Sequence, residues 1–170
     1  MRSPAAPAAR DELLAVLDEV CDPEIPVLTV RDLGIVRDVV LEGGEVTVTI
    51  TPTYSGCPAM HEIEGAIKQA YADRGYTAVR VVTVYSPAWT TDWISPAGRS
   101  KLEAYGIAPP SHHKSDEDAP IGIARKPTAV RCPYCRSLDT ERKSEFGSTA
   151  CKAIWFCRSC IQPFDEFKAI

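Results

Sequence analysis

Four of the seven cysteines in the 170-residue chain form two Cys-x-x-Cys pairs, Cys132-Pro-Tyr-Cys135 and Cys157-Arg-Ser-Cys160, with 21 residues between the pairs. A tight turn over each pair aims two sulfurs at one point, and two such turns complete a tetrahedron. The pattern predicts a four-thiolate site with zinc as the favoured metal; iron in the same geometry, or an iron–sulfur cluster, is the rival. A closed set of four ligands leaves no position for a substrate, so the site reads as structural or as an interaction platform. About forty residues cannot build much core, and the metal is expected to supply much of this module's folding free energy. Arg131, Arg136, Lys152 and Arg158 lie beside the ligands and can screen thiolate charge. Cys151 has no partner at ligand spacing and is read as a non-ligand.

A second kind of sulfur chemistry is suggested by Cys57, in Thr51-Pro-Thr-Tyr-Ser-Gly-Cys57-Pro58. Proline suits the first helical position, which puts Cys57 at the expected N-cap, where free N–H groups and the helix dipole favour negative charge. A thiolate so placed attacks electrophiles or holds metal; the bland alternative is a small apolar filler. His61, one turn further on, is compatible with thiolate stabilisation but reads more simply as solvent-facing. Asp22 and Glu24, in Cys21-Asp-Pro-Glu-Ile-Pro26, put two carboxylates on a stiff loop, because each proline holds the residue before it out of the helical region. Solvated loop acids are their simplest reading, and Cys21 is taken as core.

These residues must be positioned by ordinary elements. Leu13, Leu14, Leu17 and Val20 mark an amphipathic helix over Arg10 to Val20. Residues 35–41 and 46–50 read as strands joined by Gly43-Gly44, a hairpin signal, with Val46, Val48 and Ile50 on one face. Ile63, Ala66, Ile67, Ala70 and Tyr71 form the stripe of a helix running from Pro58 to Gly75. Residues 78–85 read as a third strand. Trp89 and Trp93 are either core anchors or an interface or lid over Cys57. Ser95-Pro96 opens a short helix that Gly106 closes. The expected fold is α/β (α+β): a small mixed sheet with helices packed against it, then a zinc-ribbon-like module. The expected organisation is a loose tail over 1–9, a main domain over 10–108, a proline-rich linker over 109–128 and the four-cysteine zinc-ribbon module over 129–170. His112-His113 in the linker reads as solvated.

Charge excludes one class of function. Residues 1–106 carry 9 Lys and Arg against 15 Asp and Glu, while residues 129–170 carry 7 against 5. An acidic body argues against a dedicated nucleic-acid surface, which needs phosphate-neutralising charge. No apolar run reaches membrane-span length, and the Ala/Pro-rich start lacks a secretory apolar core, so the expected location is cytoplasmic.

Two blocks support a family resemblance. Asp22-Pro-Glu-Ile-Pro26, Asp32-Leu-Gly-Ile-Val36, Thr51-Pro52 through Gly56-Cys57-Pro58, and Pro87-Ala-Trp-Thr-Thr-Asp-Trp-Ile-Ser95 resemble the iron–sulfur cluster assembly domain of the SufT-like family, over roughly residues 10–108. The tail, with Cys-Pro-Tyr-Cys, Phe146-Gly-Ser-Thr-Ala-Cys-Lys152, Cys-Arg-Ser-Cys and Pro163-Phe-Asp-Glu-Phe-Lys168, resembles the extension of the PaaD family of phenylacetyl-CoA 1,2-epoxidase systems. The resemblance implies a compact α/β domain, often a homodimer, whose functional cysteine falls on Cys57 and whose acidic loop falls on Asp22 and Glu24. It implies an accessory or maturation role in aerobic phenylacetate degradation, with transient iron or an iron–sulfur cluster at Cys57 and the oxygenase and reductase subunits as partners. The alternative is a structural subunit that stabilises the oxygenase without metal transfer. The residues fit a non-catalytic part: there is no Glu-x-x-His helix pair for a di-iron centre, no dinucleotide-binding glycine loop and no nucleophile–base triad around Cys57.

Overall fold

A computed structural model describes residues 7–110 and 129–169. Most of the expected tail and linker, including His112-His113, lies outside the described residues. The described chain divides into two compact units, 1–98 and 99–170. Among the described residues, no helix is long and apolar enough to cross a membrane.

The first unit is built on a three-stranded sheet of order β1-β2-β3. β1 (Val36–Glu42) and β2 (Glu45–Ile50) pair antiparallel through the Gly43-Gly44 turn. Both glycines have positive φ, 58° and 86°, the conformation that a tight hairpin turn demands. β3 (Ala78–Thr83) then pairs parallel to β2, so a helix must carry the chain back across the sheet. That helix is α2 (Ala59–Ala72), and its apolar stripe buries Ala59, Ile63, Ile67 and Tyr71. The Tyr71 hydroxyl, whose pKa burial pushes far up, donates to the Leu13 carbonyl at 2.8 Å. This ties α2 to α1 (Pro7–Val16). The expected helix over Arg10 to Val20 ends earlier than its apolar spacing suggests: α1 stops at Val16 and tightens into a 3₁₀ turn over Leu17–Glu19. Cys21, expected in the core, is exposed. It bridges to Thr29 in an extended antiparallel contact, where side chains alternate, and its neighbours Val20 and Asp22 take the buried positions.

The second unit holds a four-stranded sheet of order β4-β7-β6-β5. β5 (Thr140–Ser144), β6 (Lys152–Cys157) and β7 (Gln162–Phe167) are antiparallel neighbours. β4 (Ile107–Ala108) pairs parallel to β7. The sequence suggested a boundary at residue 108. The division between compact units instead falls within α3 (Pro96–Tyr105), between Gly98 and Arg99. The reason is local: Ile107 and Ala108 hydrogen-bond into the ribbon sheet, and Ala108 is buried with Val130, Cys132, Ala153, Trp155, Cys157 and Phe164.

Candidate functional site

Two places can do chemistry, and different elements build them. In the second unit, Cys132 and Cys135 sit on the turn before β5, Cys157 ends β6, and Cys160 lies on the turn between β6 and β7. Each turn closes just past its second cysteine on a residue with positive φ, Arg136 at 66° and Ile161 at 58°. The four sulfurs all lie within 4.8 Å of one another. The Cys132–Cys160 and Cys135–Cys157 pairs are 3.7 Å and 3.5 Å apart. A tetrahedron with metal–sulfur bonds of about 2.3 Å has edges of about 3.8 Å, so the donor set fits one four-coordinate thiolate metal. Among the described residues it is the one such cluster of three or more His, Cys, Asp or Glu.

Metal-free, these thiols compete for protons. The backbone N–H of Cys160, more than any other neighbour, draws the Cys157 thiol down to about 7. Burial, followed by the neighbouring sulfurs, pushes Cys160 up to about 12. A bound cation removes that competition by holding all four sulfurs as thiolates. Arg136 pairs with Glu103, and Arg158 with Glu141, so these two guanidiniums answer carboxylates. Lys152 is buried. Cys151 stands outside the cluster, buried, with its sulfur 3.1 Å from the Thr149 hydroxyl. Trp155, Phe164 and Phe167 are buried, while Phe156 is half-buried under Lys143.

In the first unit the Cys57 loop leaves the C-terminal end of β2, and β3 ends beside it, Thr83 paired with Ile50. In sheets with parallel strands this end is where ligands are usually held. Cys57 is partly exposed. Its N–H donates to the Tyr54 carbonyl and its carbonyl accepts from Met60 N–H, both at 3.3 Å. The helix begins one residue later than expected: Pro58 is the cap, with helical dihedrals, and Cys57 stands just before it. His61 is exposed. At the start of the loop, Thr51 is 1% exposed, and its hydroxyl is a buried polar atom with no hydrogen-bond partner among the described residues.

The acidic loop is not simply solvated. Asp22 is 8% exposed, and its Oδ1 accepts the N–H groups of Glu24 at 2.7 Å and Ile25 at 2.8 Å. Proline at 23 leaves the next amides to be capped by the residue before it, a common use of aspartate in turns. Glu24 is half-buried. Among the described residues, no metal-ligating cluster of three or more joins Cys57, Asp22 and Glu24. Trp89 is a core anchor, with its indole N–H donating to the Leu33 carbonyl at 2.9 Å. Trp93 is half-buried, and the Arg37 guanidinium lies 3.9 Å from its ring centre.

Sequence reasoning passed over the group that holds this neighbourhood together. Asp32 is buried and accepts from Thr29 N–H, the Thr29 hydroxyl and the Ser95 hydroxyl. The signal was present in Asp32-Leu-Gly34 and Ser95-Pro96, but their meeting is a long-range event.

Known proteins parallel both sites. The family described as iron-sulfur cluster assembly protein matches residues 10–84, and the family described as PaaD zinc beta ribbon domain matches residues 116–168. The Bacillus subtilis Fe-S protein maturation auxiliary factor YitW is 37% identical over 52% of this chain and 87% of its own length. The crystal structure of a domain of unknown function, DUF59, from Bacillus anthracis covers 56% of this chain and 92% of its own, at 28% identity and a TM-score of 0.52. An Escherichia coli K12 protein, provisionally named as a subunit of 1,2-phenylacetyl-CoA epoxidase, is 50% identical over 97% of this chain and 96% of its own length. With an iron–sulfur assembly domain and a four-cysteine PaaD ribbon in one polypeptide, aligned nearly end to end with that protein, the chain belongs to the PaaD family of phenylacetyl-CoA epoxidase subunits.

Proposed function

We propose that this chain is an accessory maturation subunit of a phenylacetyl-CoA epoxidase system in aerobic phenylacetate degradation. In this reading Cys57 receives iron or an iron–sulfur cluster as cargo, with Asp22 and Glu24 as the carboxylates that assist, and passes it to the oxygenase or its reductase. The observation that carries the reading is a partly exposed thiol on the loop at the C-terminal ends of a parallel strand pair. A lone thiol suits transfer, because one protein ligand releases metal more readily than four. The names of the YitW relative and of the matching assembly family support it. The four-cysteine site is a zinc site that cross-links the ribbon, which grips the client. The work is cytoplasmic.

A second reading, a structural subunit without metal transfer, is favoured by one observation: the Asp22 carboxylate caps its own loop. Complementation separates the two. Cells carrying Cys57→Ser are expected to fold the protein yet fail to grow on phenylacetate, and to yield metal-poor oxygenase or reductase. Full growth with Cys57→Ser favours the structural reading.

A further inference from the structure

An outer strand of a sheet exposes a row of backbone N–H and C=O groups, and proteins normally blunt such edges. Among the described residues the two sheets have four edges. β1 carries Arg37, Asp38 and Glu42 and is kinked by a register shift between Val36 and Asp38. β5 carries Glu141, Arg142 and Lys143, with a shift between Arg142 and Ser144. β4 is two residues long. Each of these is a recognised defence against unwanted strand pairing.

β3 is neither kinked by a register shift nor cut short, and it carries a single charge. Its six residues, Ala-Val-Arg-Val-Val-Thr, pair with β2 in unbroken register. Its one charge, Arg80, is already matched by Glu45 at 3.2 Å. Val79, Val81 and Val82 are half-buried, and beyond the strand Tyr85 is 65% exposed. No second strand lies on its outer side among the described residues. Edge backbone groups select an extended chain, and apolar side chains at alternate positions select one with matching apolar residues.

We propose that the outer edge of β3 receives, by strand addition, an extended apolar–polar alternating segment of a client polypeptide, whose end then lies beside the Cys57 loop. The placement follows from topology: β3 runs parallel to the strand that carries the loop and ends at the same end of the sheet. Size favours a passing client over a lasting pair of identical chains. A six-residue strand is about 20 Å long and a sheet about 10 Å thick, so twofold pairing of β3 covers only about 200 Å² per partner. A stable interface covers roughly 800 Å² per side. The inference deepens the maturation reading and rests on it for the identity of the client.

Hydrogen exchange on the intact full-length chain tests it, with the metal-free oxygenase and reductase subunits as probes. Amides of 78–83 are expected to slow at least tenfold when one of these subunits is added, while β1 and β5 edge amides stay as they were. The variant Val82→Lys, which puts a charge on the edge, is expected to weaken that binding at least tenfold, and Cys57→Ser to leave it unchanged. Absence of β3 protection with either subunit overturns the proposal. So does protection that rises with the chain's own concentration and no subunit present, which assigns the edge to a second copy. If β3 is protected by a subunit but Cys57→Ser cells grow normally on phenylacetate, the docking edge stands and the transfer role of Cys57 falls.

Discussion

Ser95 donates its hydroxyl to Asp32 Oδ1 across 2.9 Å and its backbone N–H to the Asp32 carbonyl across 2.8 Å. The same hydroxyl accepts the Gly98 N–H at 2.9 Å, so one side chain caps α3 and fastens it to the loop before β1. Asp32→Ala removes three donors' acceptor from a buried site and is expected to be the more damaging change. Ser95→Ala is expected to lower stability by about 1–2 kcal/mol, as loss of a helix cap together with a part-buried hydrogen bond should. The check is a shift in the denaturant midpoint with an unchanged slope; a midpoint equal to wild type would show that the junction does not bear on stability.

Gly34 is the companion to that junction. Its φ is +72°, and a Cβ there would stand 2.2 Å from the Trp93 carbonyl oxygen. Backbone atoms cannot give way as a flexible side chain does, so Gly34→Ala is expected to destabilise by at least about 2 kcal/mol, combining left-handed strain with overpacking. Thermal unfolding followed by tryptophan fluorescence reads this directly.

Asp22 separates structure from chemistry. Asp22→Ala strips the acceptor from two amides and is expected to cost about 2 kcal/mol, so lost function in that variant says nothing about metal handling. Asp22→Asn keeps an oxygen for those amides but no negative charge. Its stability is expected within about 1 kcal/mol of wild type. If the carboxylate serves cargo, phenylacetate growth falls nonetheless; if growth is normal, Asp22 is a cap alone.

The ribbon's metal site has a proton linkage with a definite sign. Thiols must lose protons to bind, and in the metal-free state Cys160 holds its proton up to about 12. Metal affinity is therefore expected to fall at least about tenfold per pH unit on acidification. Elemental analysis should find one zinc per chain, and Cys132→Ser should abolish it with loss of the Trp155 near-UV signal. Iron in its place would reassign the metal while leaving the thiolate site intact.

Glu166 offers a second pH test. Burial raises its pKa above 4.5, and the hydrogen bond from Trp155, with its indole nitrogen 2.7 Å from Oε2, offsets part of that. With the folded value raised, the stability linked to this group is full below pH 4.5 and declines as pH rises through the folded value. Glu166→Gln keeps an acceptor for the indole and removes the titration. Metal-loaded wild type is expected to lose stability relative to Glu166→Gln on going from below pH 4.5 to neutral pH, and parallel curves for the two proteins would refute the assignment.

Much of this molecule is written locally. The paired cysteines, the Gly43-Gly44 turn, the stripe from Ile63 to Tyr71 and the Ser95-Pro96 helix start depend on neighbours within a few residues, so spacing and residue type alone determined them. Other features depended on partners far along the chain. Whether Cys21 faces in or out turned on which of three successive residues the Thr29 bridge left buried. Ile107 and Ala108 became ribbon strand only because β7 presents a parallel edge to them. The open edge of β3 exists because α2 returns the chain to the far side of β2 and, among the described residues, the strands that follow join the other sheet. Burial and pairing are sums over distant contacts, and those sums are complete only once the chain has closed on itself.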